Sequence, residues 1–234
     1  MKLRTHRSAT LAVVAGLALA LGGCSTAGSD PTASPSESVA LTPTAKEAVE
    51  LNQPEQLRAL LDAGADVNED TGAGLTLLHV AAIRGNAEVA QVLIDAGADL
   101  DTRGGTSGKT PLMSAAESDQ PELVQLLLDA GADVMLPDLT GIGTGAIHYA
   151  ARGNSVASLQ IFLDYGLSVD QTEPAFSTPL IYAAYNGAAD AVIFLVELGA
   201  DLDAVDRAGQ NPLQNAEKAG YEEIADYLRN AMSE

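Results

Sequence analysis

The stretch Thr110–Gly131 reads TPLMSAAESDQPELVQLLLDAG, and it decides the fold because close variants of it recur along the chain. Each complete copy is 22 residues long and contains no gap. A fixed period of this kind is the signature of a solenoid, in which each unit buries its apolar face against its neighbours. The other complete copies are Thr76–Gly97, Gly145–Gly166 and Thr178–Gly199, with a partial copy from Asn211 and a degenerate one that ends at Asn68.

Each copy predicts two helices joined by a tight turn. Thr110 is a good N-cap, and Pro111 follows it at the first helical position, where the missing N–H costs nothing. Gly85 occupies the end of the first helix in its copy and favours a left-handed turn there. Asn154 and Asp119 fill the same slot in later copies, and we expect the same backbone conformation at both.

The connectors between copies carry all of the length variation. From each closing glycine to the start of the next copy the steps are 12, 13, 14, 12 and 12 residues. The two longer connectors follow Gly97 and Gly131. Rigid helical units with variable loops are typical of a scaffold that carries a binding site, so these two connectors are candidates for it.

The recurring motifs resemble ankyrin repeats. The matching elements are Thr-Pro-Leu at 110–112 and 178–180, Leu-His at 78–79, Ile-His at 147–148, the Ala-Ala pairs at 81–82, 115–116, 150–151 and 183–184, and Gly-Ala-Asp at 64–66, 97–99, 131–133 and 199–201. The resemblance covers about residues 44–231. It implies an all-α repeat fold: an ankyrin solenoid of about six helix-turn-helix repeats with short β-hairpin fingers, the terminal two repeats serving as caps.

The N-terminus predicts export and a lipid anchor. Three basic residues precede the uncharged run Leu11–Leu21, which is shorter than the ~20 residues of a membrane-spanning helix and fits a signal peptide. The run leads into Gly22-Gly23-Cys24, which resembles the lipobox of bacterial lipoproteins, although Ala or Ser is more usual than Gly22. The resemblance implies lipidation (palmitate) of Cys24 after cleavage; the alternative is an ordinary cleaved signal and a secreted soluble protein.

Three segments follow from this interpretation. Residues 1–23 are a lipoprotein signal peptide, and residues 24–43 are a flexible Ser/Thr/Pro-rich tether. Residues 44–234 are the repeat domain. We therefore expect an extracytoplasmic lipoprotein of the cell envelope, anchored to the membrane through Cys24.

The charge balance limits the class of partner. The formal net charge is −20, from 32 acidic and 12 basic residues. Nucleic acids and anionic lipid surfaces are bound by basic faces, so this composition argues against both. The acidic excess also has a plain physical explanation, since it keeps an exported protein soluble.

We find no pattern that predicts catalysis, a cofactor or a metal site. His79 and His148 occupy the same slot of their repeats, where an imidazole can hydrogen-bond the cap region. The aspartates around the Gly-Ala-Asp turns lack the order of a calcium loop. The stretch 104–110 resembles the end of a phosphate-binding loop but has Arg103 where the first glycine should stand.

The resemblance also implies where a protein partner binds, because ankyrin proteins use a concave surface of finger tips and first-helix positions. Tyr and Arg are common hot spots of such interfaces. Phe176 stands where a finger normally has Gly, and an aromatic there is expected to be exposed. For Tyr149 and Tyr182, packing between repeats is an equal alternative. The predicted contact residues are Arg84, Arg103, Lys109, Tyr149, Arg152, Phe176, Tyr182, Tyr185 and Asn186.

The function predicted from these features is a membrane-anchored module that binds an extracytoplasmic protein, such as an envelope enzyme. One alternative is a structural envelope lipoprotein without a discrete partner. A cation-binding protein is a further alternative with less support. No enzymatic activity is expected, and neither the identity of the partner nor the oligomeric state can be read from the sequence.

Overall fold

The computed structural model describes residues 43–233, and the fold of this part is an all-α solenoid, as predicted. Its twelve helices form six consecutive helix pairs. The predicted signal peptide, Cys24 and all but the last residue of the predicted tether lie outside the described residues. The helices are α1 Ala45–Glu50, α2 Pro54–Asp62, α3 Leu77–Arg84, α4 Ala87–Asp95, α5 Pro111–Glu117, α6 Pro121–Asp129, α7 Ala146–Arg152, α8 Val156–Asp164, α9 Pro179–Asn186, α10 Ala189–Glu197, α11 Pro212–Ala219 and α12 Glu222–Ala231.

The helices stack in two layers. The first helix of each pair (α1, α3, α5, α7, α9 and α11) packs against the first helices of the adjacent pairs, and the second helices do the same on the other side. The four Ala-Ala pairs lie in the first-helix layer, where each of these alanines is at most 1% exposed. Small side chains allow close helix packing, so the Ala pairs set the repeat spacing, while Leu93, Leu159 and Phe162 fill the core from the second helices.

The turns inside the repeats confirm the predicted left-handed positions. In every pair, one residue with positive φ stands two places before the second helix. Glycine takes this conformation freely, and Asn and Asp tolerate it better than other residues. The six residues and their φ angles are Asn52 (51°), Gly85 (77°), Asp119 (53°), Asn154 (57°), Gly187 (76°) and Gly220 (84°).

The caps also follow the sequence. Thr44 accepts a hydrogen bond from the backbone N–H of Glu47, whose carboxylate accepts one from the N–H of Thr44, so the predicted capping box opens α1. Thr110, Thr178 and Asn211 cap later first helices in the same way through their side-chain oxygens. No helix within residues 43–233 has the length and apolar character needed to cross a membrane.

The predicted β-hairpin fingers are the one part of the fold that differs. Between residues 43 and 233 the connectors contain two isolated β-bridges, Asp70 with Thr76 and Gly104 with Lys109, and no regular strand. Acidic side chains supply part of the hydrogen bonding in these connectors. The carboxylate of Asp70 accepts from the N–H groups of Gly72 and Gly74, and Asp206 does the same with Ala208 and Gln210.

Candidate functional site

The two layers of helices differ in charge. Within the described residues, the six second helices carry twelve acidic and two basic residues, whereas the first helices carry four of each. The second-helix side is therefore acidic, and the connectors between repeats carry a further twelve acidic and three basic residues. The other side, formed by the exposed residues of the first helices together with the connectors, is called the first-helix face below. It is the predicted binding surface, and within it the first helices are balanced in charge whereas the connectors are acidic.

Exposed apolar side chains also mark the first-helix face. Large apolar groups in water are informative when they cluster, because such surfaces mark interaction sites. Connectors and first helices contribute seven of them within the described residues. They are Ile83 (45% exposed), Met135 (61%), Leu139 (60%), Ile142 (44%), Phe176 (66%), Tyr185 (52%) and Val205 (48%).

Tyr149 is buried and only 2% exposed, so the packing alternative applies to it and it is not available for direct contact. Two cations cover its ring: Lys109 Nζ lies 5.0 Å and Arg152 Cζ 5.9 Å from the ring centroid. Glu117 binds both cations, at 3.3 Å from Arg152 Nε and in an ion pair with Lys109. This arrangement holds the predicted residues Lys109 and Arg152 together, with Arg152 still 45% exposed at its side chain.

The hydroxyl of Tyr149 has a hydrogen-bond partner in the interior, which allows the side chain to be buried. It donates to Oδ2 of Asp138 at 2.7 Å, and Asp138 is itself only 4% exposed. The other carboxylate oxygen, Oδ1, accepts from the N–H groups of Thr140 and Thr144 and from the Thr140 hydroxyl, at 2.7–3.2 Å. Burial raises the pKa of Tyr149, and the hydrogen bond to Asp138 raises it further. Asp138 thus fastens the longest connector to α7 and holds Leu139 and Ile142 in place.

Sequence reasoning missed Asp138 and Glu117. The length of the connector after Gly131 pointed to the right segment but not to the residue that organises it. Asp138 is recognisable only when the fold brings it to Tyr149, eleven residues away. The double ion pair of Glu117 depends on Lys109 from the preceding connector and on Arg152 from the next repeat.

Tyr182 and Tyr185 have different environments although they share α9. Tyr182 is partly buried; its hydroxyl lies 3.1 Å from Thr144 Oγ1, and its ring meets the edge of His148 with centroids 5.2 Å apart. Tyr185 is half exposed. Both tyrosines line an open cavity of about 320 Å³ that Asp206 and Lys218 also line. The side chain of Tyr185 is therefore accessible from solvent, whereas the ring and hydroxyl of Tyr182 lie against the neighbouring repeat.

The remaining predicted contacts are spread more widely. Arg84 is exposed at the end of α3 and lies 3.7 Å from the carboxylate of Glu50. Asn186 donates from its amide to the carbonyl of Tyr182 at 2.8 Å, which fixes its side chain. Arg103 is partly buried and forms no ion pair with any residue of the described part. The structure thus groups Lys109 with Arg152, and Tyr182 with Tyr185.

Phe176 is exposed as predicted and also strained. Its φ of 68° lies in the left-handed region, and it is 66% exposed. Four other connectors have glycine in the corresponding position, all with positive φ: Gly74, Gly108, Gly143 and Gly209. A phenylalanine there costs about 1–2 kcal/mol relative to an unstrained backbone. A strained residue with its ring in water indicates a role other than folding.

We predict that Phe176→Gly raises the free energy of unfolding by about 0.5–1 kcal/mol, because relief of strain exceeds the entropy that glycine loses on folding. The same change should weaken partner binding at least about tenfold, since the exposed ring is removed. Phe176→Ala keeps the strain and removes the ring, so it should weaken binding without stabilising the fold. Denaturant unfolding checks the first result, and a loss of stability in Phe176→Gly would show that the ring packs on the fold.

The acidic connectors and the histidines have structural partners. Asp101 accepts from the N–H of Asp133, and Asp170 from that of Asp201, which links neighbouring connectors. Between residues 43 and 233 there is no group of three or more His, Cys, Asp or Glu side chains that could hold a metal ion.

His79 accepts a hydrogen bond from the N–H of Thr76 at the cap, and its other ring nitrogen binds the carbonyl of Lys109. Lys109, in the stretch that resembles a phosphate loop, is paired with Glu117.

Comparison with known proteins agrees with the repeat architecture. The family model described as ankyrin repeats matches residues 46–138 and 143–233. Human palmitoyltransferase ZDHHC13 is 33% identical over 181 residues, which is 76% of this chain and 29% of that protein. YahD of Escherichia coli (strain K12), described as an ankyrin repeat protein, is 27% identical over 183 residues, 74% of this chain and 88% of YahD. The chain spans only 19–29% of the length of ZDHHC13 and of the chicken nuclear factor NF-kappa-B p105 subunit.

Two solved structures resemble the whole helical stack. The human ASB11 ankyrin repeat domain has a TM-score of 0.68 at 28% identity and covers 80% of this chain and 82% of that one. A chain in the complex of the Bd0816 predatory endopeptidase from Bdellovibrio bacteriovorus with immunity protein Bd3460 has a TM-score of 0.66 at 25% identity. It covers 80% of this chain and 97% of the matched chain.

Proposed function

The chain belongs to the ankyrin-repeat family, and from this premise we propose that it is a membrane-anchored module whose first-helix face binds an extracytoplasmic protein. Ankyrin repeats indicate a protein–protein interaction module, and their fold is typically a non-catalytic scaffold. The proposal goes further in naming the face, the anchor and the compartment of the partner. ZDHHC13 is an enzyme by name, but only 29% of it is matched, so its activity does not transfer to this chain.

The observation that carries the proposal is the exposed, strained ring of Phe176 on the same face as Tyr185. Natural chains rarely keep a non-glycine residue at positive φ, and here four equivalent connectors use glycine. Aromatic rings are enriched at the centres of protein interfaces, and Arg152 adds a cation on the same face.

The Bdellovibrio complex supports the class of partner. A chain of this fold occurs there in a complex of an endopeptidase and an immunity protein. By analogy, the partner of this chain is an enzyme of the cell envelope, which the anchored module holds or regulates. The analogy rests on the fold, and the residues of the interface must be established on this chain.

Capture from intact envelopes tests the binding function. Full-length wild-type chain, cross-linked in place and purified through a C-terminal tag, should recover one or a few proteins in near-stoichiometric amounts. A structural lipoprotein without a discrete partner would recover none above the level of an unrelated lipoprotein. That result would contradict the proposal.

The anchor is tested separately by Cys24→Ser. Acyl chains contribute about 0.8 kcal/mol for each buried CH₂ group, so two or more chains hold a protein on a membrane and their loss releases it. We expect wild-type chain in the membrane pellet and the variant in the soluble extracytoplasmic fraction. Ser36→Ala, in the predicted tether, is the matched control and should stay in the pellet. Equal membrane association of Cys24→Ser and wild type would contradict the lipoprotein assignment.

A further inference from the structure

Tyr149 and Tyr182 hold the same position in consecutive repeats but differ in what covers their rings. Each stands four residues after the cap position of its first helix. Lys109 and Arg152 cover the ring of Tyr149, and the carboxylate of Glu117 binds both cations. No Lys or Arg side chain of residues 43–233 lies over the ring of Tyr182. The chain thus supplies cations to one aromatic ring of the first-helix face and none to the next.

The residues at the two cation positions explain this difference. Thr144 stands one repeat after Lys109, and Tyr185 stands one repeat after Arg152. Neither of these side chains is cationic, and an open cavity of about 320 Å³ lies against Tyr182 and Tyr185. Cavities of roughly 150 Å³ accommodate a benzene ring, so this cavity has room for a planar group and the stem that carries it.

Asp206 brings a negative charge to the same cavity. Its Oδ1 accepts from the N–H groups of Ala208 and Gln210, and its Oδ2 accepts from the amide of Asn215 at 3.1 Å. Partial burial alone would raise the pKa of Asp206, but these hydrogen bonds outweigh it, so the pKa lies below its ordinary value and the carboxylate is ionised at neutral pH. Asp206 forms no ion pair within residues 43–233. Its Oδ2 therefore has acceptor capacity left for a further donor.

Lys218 is the one cation among the residues that line this cavity. Its side chain is exposed, and Nζ donates to Oε1 of Gln210 at 2.8 Å. Because it is not paired with Asp206, it leaves the carboxylate open to another cation and weakens the attraction only through its own charge.

We propose that this cavity binds the guanidinium group of an arginine side chain of the partner, stacked on the ring of Tyr185 and donating to Oδ2 of Asp206. A guanidinium is planar and weakly hydrated, so it stacks on aromatic rings and pairs with carboxylates at the same time. The chain already shows this combination one repeat earlier, where Arg152 lies over Tyr149 and binds Glu117. The inference rests on the proposed function, since the arginine belongs to the protein that the first-helix face binds.

The site is tested without the partner, on the full-length chain with ring-labelled tyrosine. The probes are N-acetylarginine amide and N-acetylcitrulline amide, which has nearly the same shape and no charge. The arginine probe should shift the ring resonances of Tyr185 and Tyr182 and leave that of Tyr165 unchanged, because Tyr165 lies in the second-helix layer. The citrulline probe should bind about tenfold more weakly, since it lacks the charge-assisted hydrogen bond. Equal affinity for the two probes, or no shift at Tyr185, overturns the inference.

Three variants locate the charge that the probe recognises. Asp206→Asn keeps an oxygen acceptor for the connector N–H groups and should weaken arginine binding about tenfold. Asp203→Asn removes the same charge from an exposed position of the same connector that does not line the cavity, and it should change the affinity less than about twofold. Lys218→Gln should raise the arginine affinity about threefold at low salt, because it removes a repulsive charge. Equal losses in the two aspartate variants, or a lower affinity in Lys218→Gln, contradict the site.

The partner itself gives a separate result. A captured protein that binds Asp206→Asn as tightly as wild-type chain would overturn this inference and leave the proposed function standing. Failure to capture any protein contradicts the proposed function, whereas equal binding of the arginine and citrulline probes contradicts only the arginine site.

Discussion

Replacing Tyr149 with alanine is expected to lower the free energy of unfolding by about 3–5 kcal/mol, the range seen when a large buried aromatic is truncated. The ring is 2% exposed and packs beneath Lys109 and Arg152. Its loss leaves a cavity and removes the hydroxyl that donates to Asp138. Denaturant unfolding followed by circular dichroism measures the change.

Tyr149→Phe separates the two contributions. The ring remains, but the buried carboxylate of Asp138 loses one hydrogen-bond donor. A buried acceptor without its donor lowers the free energy of unfolding by about 1–3 kcal/mol. The matched control is Tyr165→Phe, since Tyr165 is 54% exposed and its loss of a hydroxyl should change stability by no more than about 0.5 kcal/mol. A Tyr149→Phe chain as stable as wild type would show that Asp138 does not depend on the tyrosine hydroxyl.

Replacing Tyr185 with alanine is expected to weaken partner binding about 30-fold or more, which corresponds to the 2 kcal/mol of an interface hot spot. Tyr185 is 52% exposed on the first-helix face and lines the cavity between α9 and the last connector. Its removal should change stability little, because so much of the ring is already in water. Affinity for the captured partner is measured by calorimetry or surface plasmon resonance.

The chain provides a closely matched control for this result. Tyr165 is exposed to the same extent, 54%, but it caps the end of α8 in the second-helix layer. Tyr165→Ala should bind the partner as wild type does. Equal losses in both variants would indicate a nonspecific effect, and no loss in either would exclude Tyr185 from the interface.

The helical part of the fold could be predicted because its determinants are local. Thr110 with Pro111, the Ala pairs and the turn position held by Asp119 and Asn154 each specify a backbone conformation within a few residues. These signals recur in phase, so the stacking of repeats follows from the sequence. The exposure of Phe176 was predictable for the same reason, since it interrupts a recurring glycine.

The connectors and the burial of Tyr149 depend on contacts between repeats. The carboxylates of Asp70 and Asp206 accept hydrogen bonds from backbone N–H groups of their own connectors, and nothing in the local sequence distinguishes that from a short hairpin. Tyr149 was an equal candidate for packing and for contact until the structure placed Asp138 against its hydroxyl. Contacts between side chains of different repeats depend on the folded structure, and the local pattern of the repeat sequence does not specify them.

The most direct test of the account is site-specific photocross-linking of the anchored chain in its own envelope. A photoreactive phenylalanine placed at Tyr185 or at Phe176 should cross-link to one protein, and the same group at Tyr165 or at Ile193, on the second-helix layer, should not. The four positions are all exposed, so the comparison isolates the face. Cross-links confined to Tyr165 and Ile193, or absent at all four positions, would contradict the assignment of the first-helix face as the binding surface.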